Sequence, residues 1–250
     1  MNLSLKGKKI LITGASGGIG KAVSKAIAHQ GGIPIMHYNS NFDSIKGCLE
    51  ELSHQGLVAD SIQFNINDED EVKRKIAELK KRHGTIDGLV NNAGILSRGF
   101  VATQSLNVFR DVINTNLIGN FTVLKYVSQL MISQKNGNIV NVSSLAGTMG
   151  LKGQSAYSAS KAGMNALTTV SAKELAAYQI RVNSVAPGYI QTGMLEKPTE
   201  NDEKYQEVIP LKRFGRDCEV ASTIVFLLSE ASSYITGQSI IIDGGLSIAM

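Results

Sequence analysis

Two cysteines, Cys48 and Cys218, are all that the 250 residues offer for disulfide or thiolate chemistry, and neither has metal-ligand spacing around it. They read as reduced thiols, which fits a cytosolic, cytoplasmic compartment. The four histidines, His29, His37, His54 and His83, are scattered, so no metal site is expected. Net charge is scarce as well. Lys and Arg number 25 against 21 Asp and Glu, a balance of +4 with no basic stripe, which argues against nucleic acid as a partner. The mild excess is compatible with an anionic cofactor or an acidic partner. No run of about 18 apolar residues exists to span a membrane. The first residues are polar and basic without the apolar core of a signal peptide. There is no internal repeat, low-complexity tract or linker, so residues 1–250 are expected to form a single domain.

What is present is core material and turns: 43% hydrophobic residues and 25 glycines. Short apolar runs alternate with helical periodicities along the whole chain. Lys9–Ile12 reads as a strand, and a glycine-rich turn and a helix to Gln30 follow it. A strand at Ile33–Tyr38, a helix at about Asp43–Gln55, a strand at about Val58–Ile66 and a helix opening at Asn67–Asp70 come next. Further strands are expected at Ile86–Val90, Asn138–Val142, Arg181–Val185 and Ser239–Asp243, with a helix at Cys218–Leu228. A helix is also expected around Asn114–Asn116. This alternation predicts an α/β fold, a doubly wound (Rossmann) parallel sheet of about seven strands flanked by helices.

The glycine turn is Thr13-Gly14-Ala15-Ser16-Gly17-Gly18-Ile19-Gly20. Strand before and helix after make it a dinucleotide cradle, because the helix start offers free N–H groups to a pyrophosphate. An NAD enzyme commonly places a carboxylate at the end of the second strand to hold the ribose hydroxyls. Here the chain reads Tyr38-Asn39-Ser40-Asn41, and the first carboxylate is Asp43. That points to NADP (NADPH) over NAD.

Between Ser155 and Tyr178 the apolar positions recur at helical spacing. Tyr157 and Lys161, four apart, then share one face, a phenol beside an ammonium. A neighbouring cation favours the phenolate, so Lys161 is expected to lower the tyrosine pKa and fit it for proton exchange. Alone, such a pair is common on helix surfaces; the rest of the chain gives it weight. Asn91-Asn92-Ala93-Gly94 ends the fourth strand and Ser143-Ser144 ends the fifth. The sixth runs into Ala186-Pro187-Gly188-Tyr189-Ile190-Gln191-Thr192. The polar stretch Met194–Glu207 reads as a mobile segment over the site.

With these residues in this order, the chain resembles the short-chain dehydrogenase/reductase family over nearly its entire length. The resemblance implies an NAD(P)-dependent oxidoreductase acting on CH–OH or C=O. Tyr157 would exchange the proton, and Ser144, thirteen residues before it, would bond the same substrate oxygen. Lys161 would hold the nicotinamide ribose, and Asn116 would anchor a water on a proton path. It also implies a cofactor lined by Gly14, Ser16, Gly18, Ile19, Gly20, Tyr38, Asn39, Ser40, Asn65, Ile66, Asn92, Ala93, Gly94, Tyr157, Lys161, Pro187, Gly188, Ile190 and Thr192. Asn65 stands where many members have an aspartate for the adenine amino group.

Within that family, Gly147–Gly150, Gly153-Gln154, Lys161–Gly163 and Tyr234–Gly245 look like 3-oxoacyl-[acyl-carrier-protein] reductases. This implies an acyl thioester substrate, fatty-acid-type synthesis, a homotetramer and an acidic carrier protein docking on basic residues beside the cleft. Lys135 occupies one such position; Tyr178-Gln179 stands where another basic residue would be expected. Arg98, Lys125, Lys212 and Arg213 are the candidate substitutes, with solvated surface charge as their plainer reading. The alternative is a dehydrogenase or reductase of another small alcohol or carbonyl, such as a sugar, polyol, steroid or secondary metabolite. A non-catalytic cofactor-binding regulator is the remote one.

Overall fold

In β1 (Lys9–Ile12), Ile10 and Ile12 enter one hydrophobic core while Leu11 enters another. The same alternation recurs in neighbouring strands: Met36, Val90, Val140 and Val185 join the first core, and Ile35, Leu89, Ile139 and Val182 the second. A strand whose side chains point alternately to two faces, both apolar, must be covered on both sides. That is why helices flank this sheet above and below. Each such side chain, taken fully out of water, contributes about 1.5–3 kcal/mol.

The computed structural model describes residues 2–191 and 206–249. After β1 come α1 (Gly18–His29), β2 (Ile33–Tyr38), α2 (Asp43–His54), β3 (Asp60–Gln63), α3 (Glu69–His83) and β4 (Gly88–Asn91). Next are α4 (Leu106–Ile113), a π-helical turn (Asn114–Gly119), α5 (Asn120–Gln134), β5 (Gly137–Val142), α6 (Ala146–Met149) and α7 (Ser155–Leu175). The rest comprises β6 (Ile180–Pro187), β7 (Ile190–Gln191), β8 (Gly215–Arg216), α8 (Asp217–Leu228) and β9 (Ser239–Ile242). Seven strands form one parallel sheet in the order β3-β2-β1-β4-β5-β6-β9. The chain winds outward from β1 to β3 and then returns to lay β4 on β1's other side. In such sheets ligands bind at the carboxyl ends of the strands where that reversal occurs.

The expected fold class holds, with three local differences. The third strand is shorter than Val58–Ile66, because pairing with β2 runs only from Ile35–Asp60 to Tyr38–Gln63; Val58 stays 64% exposed. Asn114–Asn116 lie in a π-helical turn rather than an ordinary helix. β7 and β8 form a separate two-stranded parallel pair that no periodicity announced. The acids at Asp68–Glu71 serve α3: the Asp68 carboxylate accepts the Glu71 N–H at 3.0 Å, and the helix closes on Lys80, Lys81, Arg82 and His83, as its dipole favours.

Helix α7 is tied to the sheet by a buried polar chain. Asn91 Nδ2 donates to Asn141 Oδ1 at 2.9 Å, Asn141 Nδ2 to Thr168 Oγ1 at 2.8 Å, and Thr168 Oγ1 to the Met164 carbonyl at 2.8 Å. Replacing Thr168 by valine keeps the shape but strands the Asn141 amide in a dry interior. The expected loss is about 1–3 kcal/mol, read as a lowered urea midpoint with an unchanged slope.

Candidate functional site

The glycine turn is held from two sides before any ligand is considered. On one side, Thr13 Oγ1 accepts the backbone N–H groups of Asn92 and Ala93, each at 3.0 Å. The Asn92 side chain returns the favour, donating to the carbonyls of Thr13 at 3.1 Å and Gly14 at 2.9 Å. On the other, the His37 ring accepts the Gly14 N–H at 3.1 Å, and the His37 carbonyl accepts the Ala15 N–H at 3.0 Å. Gly14 adopts a left-handed φ of +61°, and a Cβ there would sit 2.7 Å from the Ala93 Cα, so no larger residue fits.

This clamping leaves the start of α1 open. Its Gly17 cap brings no side-chain bond and its first turn carries no acid, so the leading N–H groups at Gly18, Ile19 and Gly20 face a ligand without competition. The residues fit a dinucleotide pyrophosphate. Ser16 belongs to the same turn, and Tyr38, Asn39 and Ser40 follow at the end of β2, the last two exposed. Asn65 and Ile66 lie just beyond β3, Asn92, Ala93 and Gly94 beyond β4, and Pro187, Gly188 and Ile190 at the end of β6 and in β7. All stand at the carboxyl edge of the sheet. Thr192, and the segment 194–207 up to residue 205, lie outside the described residues. Asn65 is less free than expected: its Oδ1 already accepts the Asn67 N–H at 3.0 Å, which leaves one lone pair for an adenine amino group.

The four side chains singled out for proton chemistry come together at that edge. Tyr157 and Lys161 stand one turn apart on α7, and the Ser144 hydroxyl lies close enough to the Tyr157 phenol to act on its pKa. Ser144 Oγ also accepts the Ala146 N–H at 3.2 Å, which fixes it at the entry to α6. Asn116 is fully buried and clasps the backbone of Ile95: its Oδ1 accepts the N–H at 2.8 Å and its Nδ2 donates to the carbonyl at 2.9 Å. Its Nδ2 also donates to Ser160 Oγ at 3.2 Å. The Cβ position of Gly94 lies 3.2 Å from Asn116 Oδ1 and 3.7 Å from Lys161 Nζ, so the end of β4 separates the two.

The electrostatics differ from the sequence expectation at one point. Lys161 does not lower the Tyr157 pKa. Burial pushes the phenol above its ordinary 10, and the Ser144 hydroxyl pulls it partly back. The lysine Nζ donates instead to the Val142 carbonyl at 2.7 Å and lies 5.6 Å from the centre of the tyrosine ring. In a dry site an ammonium takes the nearest strong acceptor, here a strand carbonyl. Burial also drops Lys161 itself to about 8. The phenol is therefore fully protonated at neutral pH and poised as an acid.

The comparisons with known proteins agree with this geometry. A family profile described as enoyl-(acyl carrier protein) reductase matches residues 14–247. A 3-oxoacyl-[acyl-carrier-protein] reductase FabG of Thermotoga maritima is 46% identical over 98% of this chain and 100% of its own length. A 3-oxoacyl-[acyl-carrier-protein] reductase of Synechocystis is 42% identical, covering 97% and 98%. A short-chain type dehydrogenase/reductase from Mycobacterium marinum superposes with a TM-score of 0.93 at 36% identity, covering 98% of each chain. The chain belongs to the short-chain dehydrogenase/reductase family.

For a short-chain dehydrogenase/reductase, the chain carries working parts to which the sequence assigned no role. Thr13, read as part of the glycine-turn motif, and His37 and Ser160 hold the expected site residues, and their bonds to segments distant in sequence reveal it. The basic residues considered for carrier docking are divided, with Arg98 in the loop after Gly94 at the carboxyl edge of the sheet. Lys135, between α5 and β5, and Tyr178-Gln179, between α7 and β6, sit where strands begin, at the edge opposite Tyr157. Lys125 is paired with Glu69 at 2.8 Å and Arg213 with Glu219 at 2.7 Å, and Lys212 donates to the Glu207 carbonyl. These three read as surface charge. Thr13→Val would strand the N–H groups of both Asn92 and Ala93. A loss of about 2–6 kcal/mol is expected by denaturant titration, at about 1–3 kcal/mol for each unsatisfied group, whereas Thr13→Ser, which keeps the acceptor, should stay within about 1 kcal/mol of wild type.

Proposed function

We propose that the chain reduces a 3-oxoacyl thioester, presented on an acyl carrier protein, to the 3-hydroxyacyl form with NADPH, in fatty-acid-type acyl chain synthesis. The observation that carries this reading is the pair of hydroxyls, Ser144 and Tyr157, close enough at the mouth of the dinucleotide cradle that the one lowers the pKa of the other. Two donors that meet can both turn to one carbonyl oxygen and stabilise the charge that develops on it. The relatives' names supply the 3-oxoacyl substrate. The profile's description names an enoyl reduction instead; two hydroxyls converging on an oxygen favour the keto group.

When bound, the reduced nicotinamide supplies the hydride received by the carbonyl carbon. Tyr157 delivers a proton to the oxygen, and its raised pKa keeps that proton in place until negative charge builds there. Ser144 donates to the same oxygen. Lys161, charged below about pH 8, would bring a positive charge to the site and hold the nicotinamide ribose. Asn116, locked between Ile95 and Ser160, anchors the water that links Lys161 to solvent. The choice of NADPH is supported by the exposed, uncharged Asn39 and Ser40 at the end of β2, where no carboxylate opposes a 2′-phosphate. The reading extends to a homotetramer, supported by exposed Ile118 and Phe121 of the segment leading into and through α5, Val170 of α7, and Ile241 on the edge strand. It extends also to a cytoplasmic location, supported by two unpaired cysteines. Among the described residues no helix is long and apolar enough to cross a membrane.

A second reading has one observation behind it. A putative gluconate dehydrogenase from Agrobacterium tumefaciens superposes with a TM-score of 0.94 at 31% identity over 98% of each chain, so oxidation or reduction of another small alcohol or carbonyl uses the same scaffold. Following NADPH absorbance separates the two. Turnover is expected with a 3-oxoacyl thioester, and turnover confined to enoyl thioesters or sugar acids overturns the proposal. Tyr157→Phe should lose at least about 100-fold in rate with NADPH affinity unchanged. The rate of reduction should fall as pH rises through about 8, because the ammonium of Lys161 is the form lost; a profile flat to pH 10 removes Lys161 from the charged role.

A further inference from the structure

His37 lies in the middle of β2's buried run, 3% exposed, with its ring against Phe64 at a centroid distance of 4.0 Å. It is neither on the surface nor in a metal cluster, and the reaction makes no direct use of it. Yet both ring nitrogens are engaged, each in a defined sense. Nδ1 accepts the Gly14 N–H at 3.1 Å, and Nε2 donates to the Phe64 carbonyl at 2.8 Å. A backbone N–H must donate and a carbonyl must accept, so only the neutral Nε2–H tautomer satisfies both. Burial lowers the His37 pKa to about 4, and the charge acting on the ring is that of Glu71 on α3. The ring is neutral throughout the physiological range for that reason.

We propose that His37 is a positioning residue for the dinucleotide: its imidazole bridges β3 to the first glycine of the turn and so sets where the open N-terminus of α1 stands relative to the end of β2. The assignment rests on the cofactor reading given above. Gly14 is where the chain leaves β1 in a left-handed conformation, and its carbonyl is already committed to Asn92. His37 supplies the acceptor that its N–H requires from the opposite side. Asn92 therefore fixes the turn against β4, and His37 fixes it against β2 and β3. These are the two halves of the sheet between which an adenosine and a nicotinamide must be spanned. A cradle anchored on one side only would leave the turn to be ordered at the moment of binding, and affinity would fall by that amount.

The test compares two substitutions on the full-length chain. His37→Asn keeps an acceptor, Oδ1, near the Nδ1 position but is too short to reach the Phe64 carbonyl. His37→Phe keeps the ring and removes both bonds. Dissociation constants for NADPH, measured by its fluorescence on binding, should rise about tenfold in His37→Phe, the effect of one stranded donor, and stay within about threefold of wild type in His37→Asn. Melting temperatures of the ligand-free variants should fall together, so a purely structural role would not produce this split. Equal affinity losses in the two variants, or a folded His37→Phe that binds as wild type does, overturn the assignment. Nitrogen-15 spectra of histidine-labelled wild-type protein give a check that needs no variant. The neutral Nε2–H tautomer is expected at pH 7, and an imidazolium or Nδ1–H ring overturns the assignment. Wild-type protein that binds neither NADPH nor NADH overturns the cofactor reading and takes this assignment with it. Wild-type binding with an unaltered variant overturns the assignment alone.

Discussion

A buried ammonium set on a strand carbonyl, Lys161 Nζ on Val142, is the contact around which the site is arranged. A charge 4% exposed is costly unless it is paired or well bonded, and here the strand end supplies the bond. The Ser143 hydroxyl donates to the Lys161 carbonyl at 3.1 Å, so Val142 at the end of β5 and Ser143 just after it hold the two ends of the lysine. Packing of α6 on α7 follows: a Cβ on Gly147 would lie 2.6 Å from the Lys161 carbonyl carbon, so only glycine allows this approach. Ser144, between strand and helix, is thereby brought to the Tyr157 phenol. One ion's need for an acceptor thus fixes the position of two hydroxyls.

The opposite half of the cleft depends on neutral hydrogen bonds instead. Thr13, Asn92 and His37 satisfy the inward-facing groups of the glycine turn, and the N–H groups left over are those at the start of α1. The division has chemical sense. A rigid, uncharged cradle with a free helix start suits a diphosphate, which brings its own charge. A dry pocket with one cation and two hydroxyls suits an oxygen on which charge appears only during reaction.

Substrate choice is separate from both halves. A relative named as a 3-oxoacyl-[acyl-carrier-protein] reductase and a structural neighbour named as a gluconate dehydrogenase share this scaffold over nearly the whole chain. The overall fold is common to them, and function on a shared fold resides in the site and its loops. In this chain the stretch after Gly94 exposes Ile95, Leu96 and Phe100.

Short continuous apolar runs, the helical spacing of Tyr157 and Lys161 and the glycine turn between strand and helix were all readable from the chain, because each depends on neighbours within a few residues. They determined the strand order class, the edge at which the site lies and most of the side chains in it. Tertiary structure decided what depends on distant segments meeting. It placed Asn116 in a π-helical turn clasping Ile95 and Ser160, and it gave His37 two partners just beyond the ends of different strands. It also reversed the sense of the tyrosine's shift, since spacing on a helix predicts which charges are near but not which acceptor captures them. Desolvation and the competition for hydrogen-bond partners are set by how segments pack, and no local pattern of residues contains that information.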